Sequence, residues 1–301
     1  MTAGAVLVTG AGSGIGLAIV QTLLAAGHPV WAGARKAAHL EHLQSLGALP
    51  LPLDVRDVQQ VQQAADTVAA SGRSLHAVVH NAGVGGIGLL PGWPDEDMQA
   101  LFDTNVFGPH RLTRALLPLL LPSRGRVVCI GSQGGSITSP FMGPYTMSKH
   151  ALEAYASCLR QELAPHGVAV SIVQPGAVAT DIGDNGRAGN VARLQATQAP
   201  FDTASAAALA GLLNPTPPDP AQPESGSNRR HAPPSKVAAV VMQALFGPDP
   251  KLRHLVGTTW EGDRVVRELT QRLLEAVQSP SHGWDEATFL EHCRQAWRQR
   301  A

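Results

Sequence analysis

Residues 5–16 read Ala5-Val6-Leu7-Val8-Thr9-Gly10-Ala11-Gly12-Ser13-Gly14-Ile15-Gly16, and a helical pattern from Ile15 to Ala26 follows directly. A short apolar run that breaks into glycine and then into an amphipathic stretch predicts a strand, a tight turn and a helix. The glycines let the backbone turn sharply and approach a pyrophosphate, while the free N–H groups and dipole of the helix start favour negative charge. The spacing is Gly10-x-x-x-Gly14-x-Gly16 and not G-x-G-x-x-G, and the Lys-Ser/Thr of a P-loop is absent. A glycine-rich turn also serves as a plain strand–helix connection; its place at the first such junction favours nucleotide binding.

Outward from this turn, short apolar runs alternate with longer amphipathic ones: Pro29 to Gly33, Ala37 to Leu46, Leu49 to Leu53, Val58 to Ala70, Leu75 to His80. The pattern continues as a helical stretch from Asp95 to Leu120, a strand at Arg126 to Ile130, a helix from Tyr145 to Leu163 and a strand at Val168 to Val173. Such alternation predicts an α/β fold: a Rossmann-type, doubly wound parallel β-sheet of about seven strands with helices on both faces. Ligands in such sheets collect beyond the carboxyl ends of the strands, so chemistry is sought in the loops there.

From Gly183 the pattern changes, and Pro215, Pro217, Pro218, Pro220, Pro223, Pro233 and Pro234 exclude helix and strand from a stretch read either as a lid or as a solvated linker. Order returns as a helix at Ser235 to Phe246, a last strand at Leu252 to Val256, and helical stretches at Glu261 to Val277 and Asp285 to Arg300. The expected organisation is one Rossmann-type domain over 1–301, with a substrate-side region at 183–257 that contains the Pro-rich insert at 214–234, and a helical extension at 258–301.

Lys plus Arg total 23 and Asp plus Glu total 23, so no net field recruits nucleic acid or an anionic membrane. The longest central apolar stretch, Ala115 to Leu121, contains Pro118 and is far shorter than the roughly 18–20 residues of a membrane span. The first ten residues lack a basic n-region, and Cys129, Cys158 and Cys293 have no C-x-x-C spacing, so a cytoplasmic protein without disulfides is expected. His39/His42 and His76/His80 could each share a face, but no third ligand or H-E-x-x-H accompanies them, and no metal site is assigned.

About twenty residues beyond the glycine turn an NAD site carries an acidic residue for the ribose 2′-hydroxyl. Here the chain reads Trp31-Ala32-Gly33-Ala34-Arg35-Lys36, and Arg35 with Lys36 offers a guanidinium fork and an ammonium suited to a 2′-phosphate, which favours NADP(H) over a merely solvated helix start. Farther on, Tyr145-x-x-x-Lys149 sets two side chains one helical turn apart. An ammonium beside a phenol stabilises the phenolate and is expected to move its pKa from about 10 toward neutrality, where it can trade a proton with a carbonyl or alcohol.

These motifs and their order resemble the short-chain dehydrogenase/reductase family, with its T-G-x-x-x-G-x-G turn and Y-x-x-x-K pair, and within it the hydroxysteroid and retinol dehydrogenase-like subgroup. The matching residues are Thr9 to Gly16, Asp54 after the third strand, Asn81-Ala82-Gly83 after the fourth, Asn105 in a helix, Ser132 after the fifth strand, Tyr145 with Lys149, and Pro175-Gly176 with Thr180 after the sixth. The resemblance spans residues 4–182 and, loosely, 235–257. It implies that Tyr145 protonates the carbonyl oxygen as hydride arrives and that Lys149 lowers its pKa and holds the nicotinamide ribose. It further implies that Ser132 donates to the substrate oxygen and that Asn105 holds a water of a proton relay. On the cofactor side it implies Gly10, Ser13, Gly14, Ile15 and Gly16 at the pyrophosphate and ribose, Asp54 with Val55 at the adenine, Asn81 with Ala82 and Gly83 at the adenosine-side ribose, and Pro175, Gly176, Val178 and Thr180 at the nicotinamide.

Taken singly, Asp54 also reads as a helix cap, Asn105 as a surface amide, and Ser132 and Asn81 as turn residues; together they favour the site. The apolar run Ser139 to Pro144 predicts a small hydrophobic ketone or aldehyde, or the alcohol, as substrate, and Arg187 and Arg193 read as mobile surface arginines before acyl-carrier or acidic-substrate ligands. A 3-oxoacyl-thioester reductase shares these features, and a non-catalytic NADP(H)-sensing scaffold is the reading from another class. Family members assemble through the helices matching Gln99 to Leu120 and Ala151 to Leu163, so a homodimer or homotetramer is expected.

Overall fold

The computed structural model describes residues 4–180, 186–198, 200–279 and 283–298. The chain forms two compact units, 1–258 and 259–301. The first is built on seven strands: β1 (Ala5–Val8), β2 (Val30–Ala34), β3 (Leu49–Pro52), β4 (Leu75–His80), β5 (Arg126–Ile130), β6 (Ala169–Pro175) and β7 (Arg253–Val256). All neighbours pair in parallel, in the order β3-β2-β1-β4-β5-β6-β7. The chain therefore leaves β1 toward one edge and returns at β4 to run toward the other, which opens a crevice between the ends of β1 and β4.

The strands bury both faces, which is why they read as continuous apolar runs rather than alternating ones. Along β1, Ala5 and Leu7 face one core with Val61 and Val68 of α3 (Val58–Ala70), Leu112 and Leu116 of α5 (Gly108–Leu120), and Leu152 and Ala156 of α6 (Gly143–Leu163). Val6 and Val8 face the other with Ile19 and Leu23 of α1 (Gly14–Ala25), Leu43 of α2 (Ala37–Ser45), and Val241 and Leu245 of α9 (Pro234–Phe246).

The helix expected over Asp95 to Leu120 is interrupted: α4 (Asp95–Phe102) passes through a π-helical turn, Asp103–Phe107, before α5 begins. Pro109 explains it, because it has no N–H to return to the carbonyl of Asn105 four residues earlier. Asn105 is thus carried in a bulge and not in a regular helix. Two helices stand where no pattern was read, α7 (Arg187–Gln195) and α8 (Asp202–Leu213). The second is alanine-rich and forms on propensity without an apolar stripe. The pattern change placed at Gly183 lies outside the described residues.

Between Asn214 and Pro233 there is neither helix nor strand, yet the insert is organised. The Asn228 amide donates to the carbonyls of Asp219 and Pro223 and accepts from the Asp219 N–H, and Ala232 pairs with Val178 just beyond β6. The second unit consists of α10 (Thr259–Val277) and α11 (Glu286–Arg298). Among the described residues no helix is long and apolar enough to cross a membrane, and no group of His, Cys, Asp and Glu could hold a metal ion.

His76 and His80 have separate partners: His76 Nε2 lies 3.0 Å from the Leu245 carbonyl, and His80 Nε2 lies 2.8 Å from Thr113 Oγ1. His80 is fully buried at the end of β4, and the loss of water pushes its pKa down to about 3. Between about pH 6.5 and 3 the unfolded chain binds a proton at this position that the native protein does not. Stability is therefore lost as pH falls through that window, by about 5 kcal/mol in full. Urea titrations from pH 7 to 4 are expected to show the loss in wild type, with a slope shallower by about one proton in His80→Gln. Equal slopes would contradict this assignment.

Candidate active site

The crevice between β1 and β4 is laced by side chains. Thr9 Oγ1 accepts from the N–H groups of Asn81 (3.0 Å) and Ala82 (2.9 Å), and the Asn81 amide donates back to the carbonyls of Thr9 (2.9 Å) and Gly10 (3.1 Å). Asn81 therefore holds the turn with its amide nitrogen. Gly10 and Gly14 have φ of +63° and +53°, and a Cβ at Gly16 would sit 2.2 Å from the Gly10 carbonyl oxygen, so the turn admits no side chain there. Ser13 stands at the N-cap of α1 without capping it, and the first turn carries no acidic residue. The helix start is left open to an anion.

A cavity of about 340 Å³ begins at this turn. It is lined by Gly10, Ser13, Gly14, Ile15, Arg35, Lys36, Asp54, Val55, Asn81, Ala82, Gly83, Ser132, Tyr145, Lys149, Pro175, Gly176, Val178 and Thr180. Gly16 lies beneath the turn and Asn105 behind the cavity wall, so neither lines it. At one end Asp54 accepts from Arg56 through Nε (3.1 Å), Nη2 (2.8 Å) and the backbone N–H (3.0 Å), with Arg35 Nη1 3.9 Å away. The Arg56 hydrogen bonds hold the Asp54 carboxyl below its usual range despite partial burial.

Arg35, Lys36 and Arg56 outnumber this single carboxylate, and the imidazole of His39 adds to the same rim: a Cβ on Gly12 would meet its ring at 2.2 Å. Arg56 and His39 were not singled out for this end of the cavity. The available signal is position, since His39 follows Arg35 by four residues in the first turn of α2 and Arg56 follows Asp54 by two.

At the other end, α6 carries Tyr145 and Lys149 on one face, and Ser132, at the exit of β5, lines the cavity with them. Lys149 is 6% exposed; its Nζ donates to the Ile130 carbonyl at 2.9 Å and stands 5.8 Å from the Tyr145 ring centre. Desolvation brings the Lys149 pKa down to about 8. The expected fall of the Tyr145 pKa is corrected: burial of the phenol raises it, outweighing the influence of Ser132 and the field of Arg229, while the Lys149 ammonium is committed to a carbonyl. At neutral pH this pair is a protonated phenol above a buried ammonium, a proton donor rather than a base.

Behind the pair, the Asn105 amide donates to Val84 O (2.9 Å) and Ser148 Oγ (3.0 Å) and accepts from the Val84 N–H (2.9 Å). Ser148 in turn donates to the Tyr145 carbonyl at 2.7 Å. The side chain of Asn105 thus fixes the loop that floors the cavity.

The short chain dehydrogenase family profile matches residues 4–190. The oxidoreductase YbbO of Escherichia coli K12 is 40% identical over 182 residues, which is 60% of this chain and 68% of that protein. An NADPH-dependent 3-dehydrocapnine reductase of Ornithobacterium rhinotracheale is 36% identical over 193 residues, covering 61% of this chain and 68% of the relative. Among solved structures, a short-chain dehydrogenase from Streptomyces avermitilis is similar at a TM-score of 0.74 and 29% identity, over 95% of this chain and 99% of that one.

Proposed function

The chain belongs to the short-chain dehydrogenase family, and from that premise we propose that it reduces the carbonyl of a hydrophobic ketone or aldehyde to an alcohol, with NADPH as reductant. The observation that carries this reading is one cavity with Ser132 and Tyr145 beside the Lys149 ammonium at one end and Arg35 and Lys36 at the other. An oxidoreductase with a protonated phenol at pH 7 is set to give a proton, and a basic rim without a free acid suits a phosphorylated ribose.

The cavity fits a dinucleotide on its own chemistry. The open start of α1 and the glycine turn would hold the pyrophosphate, Arg35 and Lys36 the 2′-phosphate, and Thr180, Val178 and Lys149 the nicotinamide end. The bound cofactor supplies the hydride. Ser132 donates a hydrogen bond to the substrate oxygen, polarising the carbonyl. Tyr145 then passes its phenolic proton to that oxygen as negative charge develops, and the Lys149 ammonium stabilises the phenolate left behind. The apolar stretch Ser139 to Pro144 at the start of α6 brings no charged anchor to the substrate side, which favours an apolar carbonyl. The relative from Ornithobacterium, named as an NADPH-dependent reductase, supports the cofactor and the direction.

The test is the initial rate of NADPH and NADH oxidation with apolar ketones, aldehydes and acyl thioesters. NADPH is expected to be the better reductant with an apolar carbonyl, and Arg35→Ser is expected to raise KM for NADPH about tenfold while leaving KM for NADH within about twofold. Faster turnover with NADH would remove the role given to Arg35. Reaction with thioesters alone would replace the substrate class, and binding of NADPH without turnover on the whole panel would favour a sensor.

A further inference from the structure

Arg193, on the substrate side of the sheet, is not the free surface arginine its sequence suggests. Its side chain is 12% exposed and every edge is used: Nε donates to Ile87 O (3.1 Å), Nη1 to Asp97 Oδ2 (2.6 Å) and Nη2 to Asn190 Oδ1 (2.8 Å). The face of the guanidinium lies 3.9 Å from the centre of the Trp93 ring. Asn190 Oδ1 also accepts the Ile87 N–H at 2.9 Å, so α7 and the segment after β4 are held by two side chains acting together.

That segment is the continuation of Gly83 and Val84, which line the cavity, and it goes on to bond the stretch that leads into α6. The Gly88 N–H donates to the Phe141 carbonyl at 2.9 Å, and Phe141 keeps a left-handed backbone, φ +63°, just before the helix that carries Tyr145. A phenylalanine in that region is strained and persists only where its surroundings fix it. Three stretches from distant parts of the chain thus meet through one guanidinium and the loop it grips. Arginine suits this task and lysine does not, since only a planar fork can serve three acceptors and a ring at once.

We infer that Arg193 is a positioning residue for the proposed reduction: it latches α7 to the segment 86–97 and so fixes the substrate-side wall of the cavity and the size of carbonyl compound accepted. The inference rests on the reading of the cavity as a reductase active site. It also withdraws Arg193 from any role as a ligand for an acidic or carrier-bound substrate, because each of its three nitrogens already donates within the protein and the side chain is largely buried.

The test uses the full chain with Arg193→Met, which keeps the length of the side chain and removes the fork, and Arg193→Lys and Asp97→Asn as partial removals. Arg193→Met is expected to raise KM for a bulky apolar ketone about tenfold, with kcat within about threefold and NADPH affinity, read by fluorescence, unchanged. Arg193→Lys is expected to recover less than half of the lost kcat/KM. Hydrogen–deuterium exchange is expected to speed up in 187–195 and 85–92 together, in the same protein and without substrate. Unchanged exchange in both segments overturns the latch, as does loss of NADPH affinity in parallel with KM, which marks general damage. Faster exchange in a protein whose wild type turns over no carbonyl would keep the latch and remove the reductase reading. Faster exchange with unaltered KM would overturn the positioning role.

Discussion

Tyr145→Phe is expected to lower turnover of any carbonyl substrate by about a thousandfold while NADPH binding stays within about twofold of wild type. The phenol at the substrate end of the cavity keeps its proton at pH 7, because burial raises its pKa and Ser132 offsets that rise only in part. Phenylalanine fills the same volume, so the wall built by α6 is retained. Single-turnover rates with saturating NADPH separate the chemical step from binding. A fall in rate of less than about tenfold would remove Tyr145 from its assigned role.

Lys149→Met is expected to separate activity from stability in opposite directions. Lys149 is a buried ammonium whose hydrogen bond within the protein is to a carbonyl, that of Ile130, and desolvation brings its pKa from 10.5 down to about 8. The native protein therefore binds fewer protons here than the unfolded chain between about pH 8 and 10.5. Below that window the penalty is fully present, about 3 kcal/mol, and it fades as pH rises through it. Methionine fills the site without the charge, so denaturant midpoints at pH 7 are expected to be unchanged or higher, with the difference shrinking toward pH 10. Turnover is expected to fall at least about a hundredfold, since the phenolate left on Tyr145 after proton transfer loses its counter-charge. A variant several kcal/mol less stable at pH 7 would contradict this balance.

The sheet was legible because each strand is buried on both faces and each turn is punctuated: α3, β4 and β5 begin and end where the apolar period does. The glycine turn and the Tyr145–Lys149 spacing brought both ends of the cavity into view before any coordinates. What escaped depends on tertiary burial. The direction of the Tyr145 pKa follows from the depth of the phenol and from the Ile130 carbonyl that takes the Lys149 ammonium, neither of which a spacing of four residues reveals. The π turn at Asn105 had a local signal in Pro109, but the apolar period runs through it undisturbed. Helix α8 formed on alanine propensity where periodicity was the guide. In sequence Arg193 reads as a surface arginine, and only the arrival of Trp93, Asp97 and Ile87 from another part of the chain makes it a buried latch. Arg56 shows the same limit, since sequence alone placed Asp54 at the adenine without the guanidinium that engages its carboxylate.

The most direct measurement is to follow deuterium from NADPH carrying deuterium at both hydrogens of the nicotinamide C4 into the product of an apolar ketone, by mass spectrometry and NMR. The expected result is one deuterium per turnover, at the carbinol carbon, and no labelled alcohol from Tyr145→Phe on the same timescale. NADPH that binds while no label reaches any product carbon would contradict the account.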